Sequence, residues 1–536
     1  MVKAATEPAI RVEPVTRISR TQSLCPECLA ILEAEVYEQA GKIWISKSCA
    51  QHGDFNELYW GSSDLYQRVK RYARDGKGVD NPFVTKQEPV CPVDCGLCKI
   101  HMSHTALGNI VVTNRCDLNC WYCFFFAEKA GYVYEPSLDQ IRTMARSLRS
   151  ERPVPCNAVQ LTGGEPALRD DLLDIIRICR EEGIEHVQLN TDGIRLSTDP
   201  TLAERVRKGG VNTIYMSYDG TTMQTNPKNH REVAGALANC KRAGVGIVLV
   251  PTVIGGVNDF EVGNIIRFAL ENLEPIRGVN FQPVSIVGRV PERERERFRI
   301  TIPDVLAKIE EEFPGEISRD DFYPIPSCMP FSNFVEALTK EREYELSTHF
   351  ACGMATYLFL DDDGKIIAMP RFVDVDGLFE YLDEKADDLR AGASKYSVGL
   401  KLLYNLFTKY VDKSKAPKGL KLSNVLFNAL LRHDYKSLGV LHHRSLFIGL
   451  MHFQDLYNWD IERAKRCTIH YATPDERIIP FCTFNVIPEW YRDKVQKQYG
   501  TPITDWEKKT GRKLKDDLYR RVVPSEPLNP DLAKPP

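Results

Sequence analysis

The sequence predicts an α/β protein with a partial (β/α)6 barrel at its centre, a small metal-binding module before it and an α-rich domain after it. Two observations carry this prediction. Strand-like apolar runs alternate with amphipathic helical stretches between residues 109 and 290. In addition, many of the 16 cysteines in the 536-residue chain fall into tight groups. Charged residues at 27% and hydrophobic residues at 43% are ordinary values for a globular protein.

Charge and hydropathy exclude several classes of protein. The formal net charge of −3 argues against a chain-wide footprint for nucleic acid, and we predict no nucleic-acid partner. No uncharged apolar run approaches the ~20 residues needed to cross a bilayer, and the N-terminus carries no signal-peptide pattern. We therefore expect a cytoplasmic protein, with a peripheral contact at the inner membrane face left open. In such a chain, closely spaced cysteines favour metal binding over disulfides.

Composition and motif spacing divide the chain into consecutive segments. We predict a flexible arm at 1–20, a metal module with its linker at 21–88, an auxiliary cluster segment at 89–108, the barrel at 109–300 and a C-terminal domain at 301–536.

The first module carries a C-x2-C…C-x2-H pattern. CPEC and CAQHG supply Cys25, Cys28, Cys49 and His52, a ligand set suited to a closed tetrahedral site. The spacing fits one iron, as in rubredoxin, or one zinc, and His52 can alternatively be a surface histidine. EAEVYEQ and KIWISKS, separated by Ala-Gly, predict a β-hairpin inside the module.

A second cysteine triplet precedes the barrel. Cys91, Cys95 and Cys98 have C-x3-C-x2-C spacing in CPVDCGLCKIHMSHT, which indicates an auxiliary [4Fe–4S] cluster. His101 and His104 can complete that ligand set, or they are polar loop residues.

The barrel itself is predicted from six strands. Each is followed by an amphipathic stretch, such as LRDDLLDIIRICREEG or EVAGALANCKRAG, that closes on a glycine suited to a helix C-terminus. The predicted strands are Asn109–Thr113, Ala158–Leu161, His186–Leu189, Thr213–Ser217, Gly246–Pro251 and Gly278–Phe281. Cys156, Cys179 and Cys240 are predicted to be buried core residues rather than ligands.

The strongest motif follows the first barrel strand. VVTNRCDLNCWYCFFF places Cys116, Cys120 and Cys123 at C-x3-C-x2-C spacing, with Tyr122 before the last cysteine. Three thiolates on one loop can hold three irons of a [4Fe–4S] cube and leave the fourth iron open to a small molecule. A structural zinc loop is the alternative, but no fourth ligand lies nearby in the sequence.

Polar and glycine residues at later strand ends complete this pattern. The second barrel strand ends in the GGEP segment, whose glycines permit close backbone approach. Further strand ends carry LNTDG, MSYDG and VPTVIGG, whose polar residues can alternatively cap the next helix or turn. The candidate residues for binding a small ligand in this region are Tyr122, Gly163, Gly164, Glu165, Pro166, Asn190, Asp192, Ser217, Asp219 and Thr252.

Together these motifs resemble the radical S-adenosylmethionine (SAM) superfamily over roughly residues 105–290. The resemblance implies that Cys116, Cys120 and Cys123 bind the catalytic cluster and that the GGEP segment binds the methionine amino group of SAM. It also implies SAM contacts from the later strand ends, to its ribose and carboxylate. The expected cofactors are SAM, about three [4Fe–4S] clusters and one mononuclear iron or zinc.

The C-terminal part offers scattered cysteines and apolar segments. Cys328, Cys352, Cys467 and Cys482 lie in loop-like contexts and are predicted to hold a third cluster or to complete the second. SVGLKLLYNLFTKYV, LSNVLFNALLRH and SLFIGLMHFQDLY are predicted amphipathic helices. They fit an ordinary helical layer packed on the barrel. Alternatively, they form an apolar tunnel or a membrane-facing surface for a lipid substrate.

The arrangement over about 21–490 is similar to the archaeal tetraether lipid synthase group (Tes). That resemblance implies coupling of terminal methyl carbons of an archaeal diether lipid. Joining two such carbons requires two hydrogen abstractions and hence two SAM per bond, and we predict that a sulfide of an auxiliary cluster holds the first carbon radical between them. It also implies a ferredoxin or flavodoxin as electron donor. Relatives that methylate a pterin at carbon share these motifs, so a pterin C-methylase, or a peptide-modifying maturase, is the alternative function.

Overall fold

The computed structural model describes residues 15–125, 127–288, 290–418 and 444–521. The N-terminal module is an antiparallel sheet with strands in sequence order. Its strands are β1 (Thr16–Leu24), β2 (Ile31–Gln39), β3 (Lys42–Cys49) and β4 (Gly53–Trp60). The predicted hairpin is confirmed as β2–β3, with Ala40 and Gly41 at φ 55° and 70° in the turn. Strand β1 begins inside the segment predicted as a flexible arm, and residues 1–14 of that arm lie outside the described residues.

Six parallel strands form the centre of the main sheet. The strands from this part of the chain are β5 (Leu107–Thr113), β6 (Tyr132–Val133), β7 (Ala158–Gly163), β8 (His186–Thr191), β9 (Val211–Ser217), β10 (Gly246–Val250), β11 (Thr252–Val253) and β12 (Ile276–Pro283). Neighbours run in the order β5-β7-β8-β9-β10-β12, and each adjacent pair is parallel. All six predicted strands are confirmed, most of them longer than predicted.

Helices connect these strands and cover the sheet. They are α1 (Ser63–Lys70), α2 (Ala127–Ala130), α3 (Leu138–Ser150), α4 (Leu172–Glu181), α5 (Ile194–Thr198), α6 (Leu202–Gly209), α7 (Val233–Ala243), α8 (Val262–Glu271), α9 (Arg295–Phe298) and α10 (Ile302–Glu312). Gly244 ends α7 at φ 65°, as the sequence predicts. Cys156, Cys179 and Cys240 are fully buried in the core, which confirms their predicted place.

The C-terminal part combines strands and helices. Its strands are β13 (Tyr323–Pro324), β14 (Gly353–Leu360), β15 (Ile366–Ala368), β16 (Ser445–Met451), β17 (Ile469–Ala472), β18 (Ile478–Pro480) and β19 (Thr501–Pro502). Its helices are α11 (Met329–Thr339), α12 (Val375–Arg390), α13 (Lys395–Asn405), α14 (Ile461–Lys465), α15 (Phe481–Val486), α16 (Arg492–Tyr499) and α17 (Ile503–Thr510).

This part does not form a separate α-rich layer, because its strands extend the main sheet at both edges. Strand β16 pairs in parallel with β12, and β17 pairs in parallel with β5. The predicted helix in SLFIGLMHFQDLY is therefore wrong: its first half is the buried strand β16. SVGLKLLYNLFTKYV does form α13, whereas LSNVLFNALLRH lies outside the described residues. Among the described residues, no helix is both long and apolar enough to cross a membrane.

Candidate active site

A cavity of about 250 Å³ lies where the parallel strands end and brings most of the predicted site residues together. The three cysteines of the loop after β5 line it, with Tyr122 beside them. The opposite walls come from the ends of β7, β8, β9 and β12. The residues of the predicted set that line the cavity are Cys116, Cys120, Tyr122, Cys123, Gly163, Gly164, Glu165, Asn190, Asp192, Ser217 and Thr252.

The GGEP glycines let two backbone segments meet. Gly164 donates to the carbonyl of Thr113 at 2.8 Å, and Glu165 donates to the carbonyl of Arg115 at 2.7 Å. A Cβ atom added to Gly164 would lie 1.9 Å from the Arg115 carbonyl oxygen, and one on Gly163 would lie 2.0 Å from that of Thr113. These two glycines therefore allow the backbone at the end of β7 to pack directly against the start of the cysteine loop. This packing role does not depend on a contact with SAM.

Glu165 ties two strand ends together. Its buried carboxylate accepts from the backbone N–H groups of Ala167 and Asp192, both at 2.8 Å, and from the Thr191 hydroxyl. Burial raises the pKa of Glu165 to about 8, and the nearby Asp117 carboxyl adds to the shift. Hydrogen-bond donors within the protein thus already satisfy this carboxyl group.

Asp117 and Asp192 form a buried acidic pair beside Cys116. Their ligand atoms lie within 4.8 Å of one another and of the Cys116 sulfur. One oxygen of each carboxyl has no donor within the described protein. Burial and the Glu165 and Asp117 carboxyls raise the pKa of Asp192 well above its usual value. A cationic ligand with hydroxyl and ammonium donors, such as SAM, would donate hydrogen bonds to the unpartnered oxygens and offset negative charge on the two buried carboxyls.

The thiols also fit a cluster. Burial raises the pKa of Cys120 to about 12 and that of Cys116 well above its usual value. A thiolate at these positions therefore needs compensating positive charge, which iron supplies on binding.

Lys228 belongs to the site but was not predicted from the sequence. Its buried ammonium pairs with Asp219 at 2.7 Å and donates to the Ser217 hydroxyl at 2.8 Å and to the Tyr122 hydroxyl at 3.0 Å. Tyr122 and Thr252 also donate to Asp219, so that carboxylate links three elements. The one sequence signal was a polar stretch, TTMQTNPKNH, with no amphipathic period.

The N-terminal residues converge as predicted. Cys25 and Cys49 each place their sulfur 3.5 Å from Nδ1 of His52, and the sulfurs of Cys28 and Cys49 are 3.9 Å apart. Ligands at Zn–S and Zn–N bond lengths around a tetrahedral ion are about 3.5–3.8 Å apart, so the spacing fits one such ion.

The remaining cysteines fall into a second group. Burial raises the pKa of Cys467 to about 12, and the nearby Cys352 and Cys95 thiols add to the shift. Burial, and then Cys467 and Cys352, likewise raise the pKa of Cys482. Buried Arg463 donates to Cys352 at 3.3 Å.

The second triplet adjoins this group through Cys95. A contact with Cys91, together with burial, raises the pKa of Cys95. Burial, and then the Cys95 thiol, raise the pKa of Cys98. Cys328 is not among the groups that shift the pKa values of Cys467 and Cys482, so its predicted role as a ligand stays a prediction.

The two predicted histidine ligands contact other groups. His101 bonds the Cys467 carbonyl oxygen at 2.9 Å and His470 at 3.1 Å, and burial lowers its pKa to about 4. His104 accepts from the backbone of Glu345 at 3.1 Å. Both are therefore buried residues packed against the C-terminal part, not exposed loop residues.

Comparison with known proteins agrees with this geometry. The model of the radical SAM superfamily matches residues 110–269, and that of the HMPTM N-terminal zinc ribbon domain matches residues 17–61. The chain is 45% identical over 501 residues to the 7,8-dihydro-6-hydroxymethylpterin dimethyltransferase of Methanocaldococcus jannaschii, covering 91% of this chain and 97% of that protein.

More distant relatives share only part of the chain. A GTP 3′,8-cyclase of Clostridium acetobutylicum is 28% identical over 225 residues, which cover 41% of this chain and 65% of the relative. One from Marinobacter nauticus is 30% identical over 190 residues, 34% of this chain and 55% of the relative.

These matches fix the cofactor set and correct one expectation. The protein is a radical SAM enzyme that uses a [4Fe–4S] cluster and SAM, and its cysteine-rich ribbon fits a further metal site. The resemblance to tetraether lipid synthases is not supported, since the extensive match is to a pterin methyltransferase. The chain belongs to the radical SAM superfamily and, within it, to the family that contains the M. jannaschii pterin dimethyltransferase.

Proposed function

We propose that this enzyme transfers methyl groups to carbon atoms of a reduced pterin. The observation that carries the proposal is the 45% identity to a 7,8-dihydro-6-hydroxymethylpterin dimethyltransferase over nearly the full length of both chains. This function is the alternative that the sequence analysis left open beside lipid coupling.

The polar side chains on the cavity walls favour a small polar substrate over a lipid. Side-chain amides of Asn109, Gln160, Asn280 and Gln282 line the cavity from strands β5, β7 and β12. Amides present a donor and an acceptor side by side, which matches the alternating donors and acceptors on the pyrimidine edge of a pterin. A saturated lipid chain in the same place would offer these amides no hydrogen-bond partner, at a cost of about 1–3 kcal/mol for each buried group left unpaired.

Aromatic side chains supply a flat face in the same cavity. Phe453 and Phe481 stack with ring centroids 4.0 Å apart and an interplanar angle of 23°. Tyr471 stacks on Phe481 at 5.3 Å and 27°. A flat bicyclic ring packs well against such a surface, while its polar edge meets the amides.

The residues that would hold the cofactors are those of the β5 loop and the strand ends. We propose Cys116, Cys120 and Cys123 as cluster ligands and the Asp192 region as part of the SAM site. With SAM bound, the cluster supplies a carbon-centred radical able to remove hydrogen from unactivated C–H bonds. The protein orients the pterin, keeps water out through the aromatic wall, and holds Tyr122 through Lys228.

The direct test is an anaerobic reaction of the metal-loaded enzyme with SAM, dithionite and 7,8-dihydro-6-hydroxymethylpterin. We expect 5′-deoxyadenosine and a pterin carrying one or two added methyl groups by mass spectrometry. A parallel reaction with an archaeal diether lipid should give no coupled product. An unmodified pterin together with coupled lipid would contradict the proposal.

A variant sharpens this test. Gln282→Leu should raise the KM for the pterin about tenfold, because a hydrogen bond to the ring edge contributes about 1–2 kcal/mol. The KM for SAM should stay within about twofold of the wild-type value, which serves as the control. An unchanged pterin KM would remove the amides from substrate recognition.

A further inference from the structure

A second cavity borders the cysteine loop. It has a volume of about 460 Å³, and Cys116, Cys120 and Cys123 line it, as they line the first. Its other wall is the segment 503–518, hereafter the basic strap, which runs through α17 and the turns after it. A cluster held by these cysteines therefore borders the substrate cavity and, separately, the strap.

The basic strap is rich in exposed cations. Its sequence EKKTGRKLKDD contains Lys508, Lys509, Arg512, Lys513 and Lys515, and all five are exposed. Within the described part of the chain, Lys508, Lys509 and Lys515 form no ion pair, while Lys513 pairs with Glu507 and Arg512 with Asp170. Lys513 and Lys515 lie at the cavity, next to the cluster loop.

Hydrogen bonds, an ion pair and a cation–π contact hold this part of the chain against the cysteine loop. Arg115, which directly precedes Cys116, is buried and donates to both carboxylate oxygens of Asp517, at 3.0 and 2.9 Å. Tyr519 donates its backbone N–H to the Asp117 carbonyl at 2.9 Å. The guanidinium of Arg115 also lies 5.0 Å from the ring centroid of Trp506 in α17. The cations of the strap are thus held in a defined position relative to the cluster.

Reductive cleavage of SAM needs an external electron. One electron enters through the cluster, the bond between sulfur and the 5′ carbon breaks, and methionine and a 5′-deoxyadenosyl radical result. The substrate cavity is lined by the SAM-site residues and the amides, so a donor entering there would displace the reactants. A donor that approaches from the side of the basic strap would not enter the substrate cavity and would not displace the reactants.

We propose that the basic strap docks a low-potential one-electron donor protein with an acidic surface, of the flavodoxin or ferredoxin class. The proposal rests on the SAM cleavage contained in the proposed function and is independent of the substrate. Opposite charges on the two proteins speed their encounter and orient the redox group toward the cluster.

The other exposed edge of the loop is less suited to this partner. Trp121 is 41% exposed there and packs against Phe298. The neighbouring segment, PERERERFR, alternates acidic and basic residues, and Glu294 pairs with Arg297 at 3.3 Å. Its three glutamates balance three of its four arginines, and the fourth, Arg299, is buried in ion pairs with Glu57 and Asp455. The exposed part of this segment therefore has no excess of positive charge to attract an acidic protein.

The test compares two reductants in the metal-loaded enzyme without pterin. The variant Lys508→Glu/Lys509→Glu/Lys515→Glu is assayed for 5′-deoxyadenosine formation with purified flavodoxin and with dithionite. We expect the flavodoxin KM to rise at least about tenfold at low salt, relative to the dithionite rate of the same preparation. The matched control, Lys395→Glu/Lys401→Glu/Lys409→Glu in and after α13, changes the net charge equally and should leave the flavodoxin KM unchanged.

Carbodiimide cross-linking of the wild-type enzyme to flavodoxin provides a second measurement. Cross-links should form at Lys508, Lys509 or Lys515 and disappear as salt rises. An unchanged flavodoxin KM, an equal loss with both reductants, or cross-links at α13 instead would overturn the proposal. Because the assay reads SAM cleavage alone, failure to methylate a pterin does not affect its outcome.

Discussion

At the scale of single residues, the site depends on close backbone contacts that side chains would prevent. The Gly164 backbone lies against the carbonyl of Arg115, one residue before Cys116. The Glu165 carboxylate accepts hydrogen bonds from Thr191 and Asp192 at the next strand end. The cofactor loop therefore takes its position from hydrogen bonds that lie outside the cysteines.

Gly164→Ala tests this dependence. Its Cβ would meet the Arg115 carbonyl oxygen at 1.9 Å, so the loop must shift. A displacement of about 1 Å near reacting groups lowers the rate about a hundredfold, and we expect that loss in SAM cleavage. Gly209→Ala is the control, because its Cβ meets its nearest neighbours at an ordinary 3.7 Å in α6. Normal SAM cleavage by the Gly164 variant would contradict the expected role.

Glu151 provides a prediction about pH. Burial raises its pKa from 4.5 to about 7, although the backbone of Thr105 donates to it at 3.0 Å. Between these pH values the folded state binds more protons than the unfolded state, so stability falls as pH rises from about 5 to 7. Glu151→Gln lacks this loss, and its stability relative to wild type should improve by up to about 3 kcal/mol over that window.

Thermal unfolding of the metal-loaded protein at several pH values between about 5 and 8 measures this effect. Exposed Glu380→Gln in α12 serves as the control and should follow the wild-type profile. Parallel profiles for Glu151→Gln and wild type would show that Glu151 is not protonated in the folded state.

At the scale of elements, the loop after β5 is the proposed site of the catalytic cluster. We expect replacement of Cys116, Cys120 and Cys123 by Ala to abolish SAM cleavage and to leave the other metal sites largely in place. The reason is that this triplet lies in the cavity with the GGEP segment, whereas Cys95 lies with the C-terminal cysteines. Iron content and 5′-deoxyadenosine formation measure the effect. The assignment is reversed if the triplet at 91, 95 and 98 proves to be the one required.

Elements with a clear period were predictable from the sequence, and those without one were not. The barrel strands and helices alternate, and α4 and α7 end at glycines as expected. Strand β16 was missed because SLFIGLM is apolar after Ser445, and a short apolar run does not distinguish a buried strand from a buried helix by period alone. Lys228 was missed because only the fold brings its polar loop to Tyr122.

At the scale of the whole molecule, the cysteines gather into separate groups. The N-terminal ribbon, the β5 loop and the group around Arg463 account for most of them. We expect anaerobically prepared protein to contain about three [4Fe–4S] clusters and one mononuclear ion. Elemental analysis and Mössbauer spectra measure this content. Finding about four irons per chain after full reconstitution would contradict it.

The pairing of β5 with β17 has a consequence for biosynthesis. Strand β5 emerges from the ribosome long before residues 469–472 are translated, and the aromatic wall at Phe453, Tyr471 and Phe481 comes equally late. During elongation the cysteine loop is thus present while the edge of its strand and one wall of its cavity do not yet exist. A cluster inserted at that stage would face water and oxygen. Loading after release of the finished chain avoids this exposure, so we expect cluster insertion to follow translation.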